Sequence, residues 1–357
     1  MRLVNKSKTQ KMVWFVILIL FVVNCQDGNG LDWEEMAQPV EIGKWVQPST
    51  DYPAQPIWGH VNGLQIGLPP MPGPRGLIRI YTPYLGHKDG KMINFLALEP
   101  VVEGEQHRGF SELEMSALDG VRGKRFWSAE NSESAVPGAE DQPVQGKIER
   151  QGDRETLTLY VFSEPFENGA HVYVRLRFYS DKPYEVEVST YKAENSAALE
   201  HFIVTATMGN FARLRELYLD SRRVLSRNLW PDYQGDAFTT HRHFSVNEFI
   251  PGGTGLAYVL AAPDELHPSE ADYEPGTHSH WKYYGETATQ YWAASPTITG
   301  LECLVNGRYT YWASQSPIPG GISFENFELK APFSQGMTFV FGVDPRSPEA
   351  LIDHIRE

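Results

Sequence analysis

Residues that could transfer protons or bind hydroxyl groups are concentrated in short segments of the second half of the chain. Residues 274–292 hold two histidines, two tryptophans and three tyrosines around Lys282. Aromatic rings stack on apolar C–H faces, while His, Lys and Glu side chains hydrogen-bond hydroxyl groups or move protons. Residues 306–328 have a similar composition, with R-Y-T-Y-W followed by G-G-I-S-F-E-N-F-E. This composition is typical of a surface that binds carbohydrate.

The candidate substrate-binding residues are aromatic or basic: Trp230, Trp281, Lys282, Tyr284, Trp292, Arg308, Tyr311 and Trp312. Trp230 belongs to residues 228–243, which are dense in Trp, Tyr, Asp and His and show little periodicity. Segments of this kind between strands often carry binding residues. The alternative is an ordered loop that caps the fold with Trp230 beneath it, and both interpretations stay open.

Glu325 is the first candidate for acid–base chemistry. Strict alternation along residues 321–329 places Glu325 on one face with Phe327 and Leu329. A carboxyl group on a largely apolar face is desolvated, which raises its pKa toward the range of a useful general acid or base. The alternative is a structural ion pair, for which Arg75, Arg79 and Arg308 are available.

Two H-x-H pairs could bind a metal ion, His241 with His243 and His278 with His280. Strand residues two apart point the same way, so each pair could offer two imidazoles to one divalent ion. The alternative, which we prefer, is two surface pairs with no metal. The cofactor therefore stays unassigned, with a divalent metal as the one candidate.

A further polar group consists of Glu99, His107, Arg108, Glu112 and Glu114. A carboxylate and an imidazole that face one another can do acid–base work. A run this rich in charge is more often a solvated loop, so we rank this group below Glu325.

The elements that must position these residues are strands. Many short apolar or alternating segments follow one another, with Gly and Pro between them and no strand–helix alternation. This pattern predicts an all-β fold, a large two-sheet antiparallel β-sandwich. In residues 170–180, Val172, Val174, Leu176 and Phe178 share one face, as in a half-buried strand. A short C-terminal helix is expected after Ser347 and Pro348, while residues 210–229 fit a helix or a strand.

The N-terminus resembles an export signal. Four basic residues precede an apolar run at residues 13–23, which is short for a membrane span and fits a signal peptide. The segment Val22-Val23-Asn24-Cys25 resembles a lipobox, with Asn24 where Gly, Ala or Ser is usual, and predicts lipidation of Cys25. The alternatives are a plain signal peptide cut nearby or an uncleaved anchor. We predict a signal peptide at 1–24, a polar tether at 25–54 and one β-sandwich domain at 55–357.

The net charge and the cysteine content limit the kinds of partner and of disulfide bond that we expect for this chain. Removing residues 1–24 takes away four basic and no acidic side chains, so the formal net charge goes from −14 to −18. So acidic a chain argues against nucleic acid as partner. If Cys25 is lipidated, Cys303 has no intrachain partner, and in L-E-C-L-V it is predicted to be a buried apolar residue.

The length, the all-β pattern, the histidines on strands and a late strand with a Glu resemble the galactose mutarotase-like supersandwich proteins. That superfamily includes aldose epimerases, in which a His and a Glu act as acid and base on a sugar. The resemblance implies a supersandwich over roughly residues 55–345. It implies Glu325 as that Glu and His243 or His201 as the His.

Three functions remain open at this point. The first is an exported carbohydrate-active enzyme of the epimerase or lyase type, held in the outer membrane or periplasm by an N-terminal lipid anchor. The second is a non-catalytic lipoprotein that binds glycan through Trp281, Trp292 and Trp312. The third is a structural lipoprotein in which the aromatic residues form the core.

Overall fold

Strands make up most of the chain in the computed structural model, which describes residues 33–71, 73–86, 92–133, 142–208, 213–265 and 267–357. The predicted signal peptide, Cys25 and the first part of the predicted tether lie outside the described residues. Within them, no helix is long and apolar enough to cross a membrane.

The strands follow in chain order: β1 (Val40–Ile42), β2 (Trp45–Gln47), β3 (Ile57–His60), β4 (Gln65–Gly67), β5 (Ile78–Tyr81), β6 (Met92–Val102), β7 (Phe126–Ala129), β8 (Lys147–Gln151), β9 (Arg154–Ser163), β10 (Val172–Tyr179), β11 (Glu185–Lys192), β12 (Leu199–Met208), β13 (Leu214–Tyr218), β14 (Arg223–Leu225), β15 (Arg242–Ser245), β16 (Ile250–Pro251), β17 (Ala257–Pro263), β18 (Thr289–Ala294), β19 (Glu302–Arg308), β20 (Ser323–Pro332) and β21 (Met337–Asp344). The helices are α1 (Ser226–Leu229) and α2 (Pro348–Arg356). Single 3-10 turns occupy Trp33–Glu35, Pro83–Leu85, Val246–Glu248, Pro268–Glu270 and Ser279–Trp281.

These strands form two antiparallel sheets. The first has the order β1-β2-β3-β4-β5-β6-β12-β20-β19-β15, and the second has the order β14-β13-β17-β18-β21-β11-β10-β9-β7, with β16 beside β17 and β8 beside β9. The predicted all-β, two-sheet antiparallel sandwich with a short C-terminal helix is confirmed. Residues 210–229, which fitted a helix or a strand, contribute β13, β14 and the one-turn α1 where they are described.

The core follows from the alternation of side chains along the strands. In β10, Val172, Val174, Leu176 and Phe178 are fully buried, and the residues between them are partly exposed. Burial of each such side chain contributes about 1.5–3 kcal/mol to the stability of the fold. They join apolar residues of the first sheet, such as Leu329 of β20, in one main core between the sheets.

A second, smaller core lies under the C-terminal helix. The side chain of Ser347 accepts a hydrogen bond from the backbone N–H of Ala350 (3.3 Å), and Pro348 occupies the first helical position, as predicted. Leu351 and Ile355 of α2 pack on buried residues of the second sheet, including Tyr258. The helix therefore covers the outer face of that sheet.

The first sheet begins before the predicted domain boundary at residue 55. Strand β1 pairs with β2, and β2 pairs with β3. Trp45 of β2 is almost fully buried, and its indole N–H donates to the carboxylate of Glu155 (3.3 Å). The predicted tether is therefore wrong for its last part, because β1 and β2 belong to the folded domain.

Candidate functional site

A β-bulge in the first sheet decides where the side chain of Glu325 points. Asn306 of β19 pairs with Asn326 of β20, but the next residue, Gly307, pairs with Phe324. Glu325 is thus an extra residue on β20. Phe324 and Phe327 both lie in the main core, which a regular strand would not allow for residues three apart. Glu325 therefore leaves the core face, and its predicted place beside Phe327 is wrong.

The Glu325 carboxyl group is buried without a partner. The residue is 5 % exposed and makes no hydrogen bond or ion pair with the described residues. Burial raises the pKa of Glu325 to about 8, against the opposing effect of Arg308, and nearby Glu112 raises it further. Burial likewise raises the pKa of Glu112. At neutral pH, Glu325 is therefore mainly a neutral acid that can donate a proton.

An open cleft of about 380 Å³ lies at the end of β19, around Arg308, whose charge acts on the pKa of Glu325. It is lined by Asp236, Ala237, Phe238, Arg308, Trp312, Ala313, Ser314 and Gln315. The rings of Phe238 and Trp312 stack with their centroids 5.6 Å apart and their planes 20° from parallel. Both side chains are 39 % exposed, so this pair offers an aromatic platform to a ligand.

Arg308 forms the base of this platform. Its guanidinium carbon lies 5.0 Å from the ring centre of Phe238 and 5.0 Å from that of Trp312. The predicted structural ion pair of Glu325 with an arginine is not formed. Arg308 donates to backbone carbonyls, and Arg79 also donates to one, that of Pro74. Arg75 pairs with Asp119 (2.9 Å).

A second polar group lies further along the outer face of the first sheet. Arg108, from the segment between β6 and β7, donates to the carboxylates of Glu99 on β6 and Glu328 on β20, the latter at 2.8 Å. Nε2 of His241 lies 3.2 Å from Oε1 of Glu328 and 3.5 Å from Nη2 of Arg108. Three elements of the fold thus meet around one partly buried guanidinium.

The two carboxyl groups around Arg108 titrate differently. Burial raises the pKa of Glu99, partly opposed by Arg108, and the charge of Glu328 raises it further. Burial also acts on Glu328, but its hydrogen bond with His241 and the charge of Arg108 outweigh burial and lower its pKa. Two acids whose pKa values are pushed apart in this way can hold one proton between them.

His241 connects this group to solvent. Its Nε2 also lies 3.3 Å from Nδ2 of Asn306, and its side chain is partly exposed. A protonated Nε2 donates to the buried Glu328 carboxylate, and an unprotonated Nε2 accepts from Asn306. When Nε2 donates to Glu328, Nδ1 is the acceptor nitrogen of the neutral ring, which is the arrangement that a general base needs.

The two groups share one surface. Glu325 and Glu328 are three residues apart on β20, about 10 Å at the rise of an extended strand. Glu112 and Arg108 come from the same segment, which connects β6 to β7 and follows this face. The outer face of the first sheet thus holds a neutral acid beside the cleft and an imidazole–carboxylate pair further along.

The structure does not bring the predicted catalytic histidines to Glu325. His243 is half exposed on the edge strand β15, and its Nδ1 lies 3.3 Å from Oε2 of Glu302. His201 pairs with Pro332 of β20, seven residues from Glu325, or roughly 23 Å along the strand. His241 is the histidine that lies on the face of Glu328.

The predicted metal candidates do not converge. His241 and His243 contact different carboxylates. His278 and His280 have ring centres 4.2 Å apart in an exposed turn. Across the described ranges, there is no group of three or more His, Cys, Asp and Glu side chains arranged to hold a metal ion.

Three of the predicted aromatic contacts are core residues. Trp292 is fully buried, and its indole N–H donates to the backbone carbonyl of Phe327 (2.8 Å). Trp230 is buried under its loop, and its indole N–H donates to the carbonyl of Thr240 (3.1 Å). This is the alternative in which the loop caps the fold. Tyr311 is also buried. These predictions of ligand stacking are wrong because the rings face the core.

Residues 274–292 lie outside the cleft lining. Trp281 is partly buried and stacks on Tyr311, with ring centres 5.1 Å apart. The ammonium of Lys282 lies 5.6 Å from the ring centre of Tyr273, and Tyr284 is exposed. Of the predicted substrate-binding residues, Arg308 and Trp312 line the cleft.

The prediction missed Glu328, Asp236 and Phe238, and it ranked Glu99 and Arg108 too low to include them. The signal for Glu328 was present, because Glu328 lies between the apolar residues Phe327 and Leu329 and alternates with them along the strand. Phe238 had no comparable signal, since nothing local distinguishes it from a core phenylalanine. Cys303 is buried as predicted, and burial raises the pKa of its thiol.

No protein-family model, no curated protein and no solved structure matches this chain at a significant level.

Proposed function

We propose that this chain is an exported carbohydrate-active protein that transfers protons on a sugar or polysaccharide, as an epimerase or lyase does. The observation that carries the proposal is Glu325, a buried carboxyl group without a partner whose pKa is raised to about 8 beside an open aromatic cleft. A neutral carboxylic acid next to a ligand site has the protonation state that a general acid needs at neutral pH.

Each remaining group takes one role in this proposal. Phe238 and Trp312 stack on the apolar face of a sugar ring and orient it. His241, oriented by the Glu328 carboxylate, removes a proton, and Glu325 supplies one at a second position of the substrate. Epimerisation and β-elimination both require such an acid and base on one substrate.

The likeness to galactose mutarotase-like proteins remains part of the proposal. A Glu on β20 and a His directly before β15 of the same sheet support it, with His241 in place of His243 or His201. Export and a lipid anchor in the outer membrane or periplasm are supported by the basic N-terminus, the apolar run and Cys25.

A non-catalytic glycan-binding lipoprotein is the second candidate. The exposed Phe238–Trp312 pair favours it, because a stacking platform in an open cleft suffices for binding. This candidate predicts binding without turnover, and binding that does not depend on Glu325.

The test is proton exchange with solvent. Wild-type protein is incubated in D₂O with a panel of neutral and acidic polysaccharides, and NMR follows deuterium incorporation into the sugar carbons. Absorbance of an unsaturated product distinguishes elimination from epimerisation. Glu325→Gln keeps the shape of the side chain but cannot donate as an acid, and His241→Gln removes the base.

His243→Gln is the matched control, because His243 is an exposed histidine two residues from His241 with a different partner. We expect exchange to fall at least a hundredfold in Glu325→Gln and His241→Gln, and to persist in His243→Gln. Undiminished exchange in Glu325→Gln would remove the acid from the mechanism. Binding with no exchange, no unsaturated product and no change in the ratio of anomers would establish the second candidate, and no binding to any glycan would overturn both.

A further inference from the structure

Arg308 has hydrogen-bond donors to spare. A guanidinium carries five N–H groups. Nε donates to the carbonyl of Thr310 (3.1 Å), and Nη2 donates to the carbonyls of Asp236 (2.8 Å) and Tyr311 (3.3 Å). Both N–H groups of Nη1 lack a partner among the described residues. They belong to a side chain that is 3 % exposed and lines the cleft.

The positive charge of Arg308 is not balanced by an ion pair within the described part of the chain. Arg308 makes no ion pair with the described residues, and its three acceptors are neutral carbonyls. Glu325 is its nearest buried carboxyl group on β20, and at neutral pH that group is mainly protonated. Buried charges in proteins are normally paired, so an unpaired guanidinium at an open cleft favours an anionic ligand.

The other charged groups around the cleft also favour a ligand with negative charge. The guanidinium carbon of Arg122 lies 5.7 Å from the ring centre of Trp312, so two cations flank that indole. Glu112 has a raised pKa, as Glu325 has. Asp236 also lines the cleft, but its side chain is exposed, and solvent screens its repulsion of an anion.

Local backbone strain marks the same place. Ala313 follows Trp312 and has a φ of 50°, in the left-handed region that a residue with a Cβ atom adopts at a cost. The chain accepts this conformation in the cleft lining, next to the exposed indole.

We propose that this cleft binds an acidic sugar, with the carboxylate of a uronate on Nη1 of Arg308 and the apolar face of the ring on Trp312. This inference rests on the proposed function and adds the substrate class. A uronate fits because it joins a carboxylate to a ring that stacks. The two N–H groups of Nη1 would donate to the carboxylate, while the aromatic pair contacts the sugar ring.

The test compares a ligand that carries uronate carboxylates with matched ligands that lack them. Tri-galacturonate, its methyl ester and neutral galactotriose are titrated into the wild-type protein by calorimetry at pH 6.5. A sulfated galactose trisaccharide is the fourth ligand, because sulfate is the other acidic group common on sugars. We expect the ester and the neutral sugar to bind roughly ten- to a hundredfold more weakly than the uronate, the effect of one charged hydrogen bond.

Variants locate the site. Arg308→Gln should reduce uronate affinity by the same factor and leave the ester unaffected, and Trp312→Ala should weaken all ligands. Arg227→Gln is the matched control, since Arg227 is an exposed arginine paired with Asp264 (3.1 Å) away from the cleft, and it should change nothing. If Arg308→Gln does not fold, the comparison of uronate with ester on the wild-type protein still decides.

The outcomes separate this inference from the function on which it rests. Equal affinity for uronate, ester and neutral sugar overturns the acidic-sugar inference and leaves a glycan-binding protein. Preference for the sulfated sugar over the uronate also overturns it. Absence of binding to all four ligands, together with absence of binding in the polysaccharide panel, overturns the proposed function itself.

Discussion

Two regions of the same sheet face combine buried carboxyl groups with an arginine, and they do so in opposite ways. Around Arg108, the guanidinium contacts Glu99 and Glu328 directly, so each charge has a partner inside the protein. Around Arg308, the guanidinium contacts only carbonyls, and Glu325 contacts nothing among the described residues. In the first region, the charged groups bind one another, whereas in the second region Glu325 and Arg308 remain available to a ligand.

The largest effect should come from breaking the satisfied region. Arg108→Met leaves two buried carboxyl groups without their cation, and we expect the free energy of unfolding to fall by about 3–5 kcal/mol. Urea denaturation measures it. Arg227→Met, an exposed arginine with a single ion pair, should stay within about 0.5 kcal/mol of wild type. Similar losses in the two variants would contradict the internal compensation around Arg108.

The two glutamates of β20 should respond differently to the same substitution. Glu328→Gln replaces an ionised acceptor of Arg108 and His241, and should cost about 1.5–3 kcal/mol of stability at pH 7. Glu325→Gln replaces a neutral acid with a neutral amide and should change stability by less than about 1 kcal/mol. Equal costs in urea denaturation would mean that Glu325 is charged or paired in the folded protein.

The pH dependence of stability should have opposite signs for these two residues. Glu325 has its pKa raised from 4.5 to about 8, so its contribution is fully present below pH 4.5 and is lost as pH rises toward 8. Glu328 has a lowered pKa, so its contribution is present above pH 4.5 and is lost as pH falls below it.

Urea midpoints from pH 4 to 9 test this contrast. The midpoint of Glu325→Gln should gain on that of wild type as pH rises from 5 to 8, and the midpoint of Glu328→Gln should approach that of wild type as pH falls below 4.5. A difference between Glu325→Gln and wild type that does not change with pH would show that the Glu325 pKa is not raised.

The smallest effect concerns the strain beside the cleft. Ala313→Gly lets the backbone adopt its φ of 50° without the cost of a Cβ atom, and we expect stability to rise by about 0.5 kcal/mol. Thermal unfolding measures the change. A loss of stability on this substitution would show that Ala313 is not strained in the folded protein.

The sequence was sufficient for the fold because its signals are local. Alternation from Val172 to Phe178 determines which face of β10 is buried, and Ser347 with Pro348 starts the last helix whatever it packs against. The site was less predictable because it depends on pairing between distant segments. Whether His241 or His243 meets a buried carboxylate depends on how β15 lies beside β19, which no local pattern encodes.

The aromatic residues show the same limit. Trp312 and Trp292 both occur in aromatic-rich segments, yet one lines the cleft and the other lies in the core. Their neighbours in the sequence do not distinguish them, since tryptophan occurs both in the core and at partly exposed positions. Arg308 lines the cleft, but its lack of an ion pair became visible only with the contacts of its guanidinium.

Because of the bulge between β19 and β20, Glu325 can be removed without a change in the pairing of these strands. Glu325 is the one residue that the ladder between these strands does not need, since Phe324 already pairs with Gly307 and Asn326 with Asn306. Removal of this single residue would leave a continuous ladder with Phe324 and Asn326 as neighbours and both faces of the strand unchanged. In evolutionary terms, one codon inserted into a plain sandwich is enough to place a carboxyl group beside this cleft, and one codon deleted removes it.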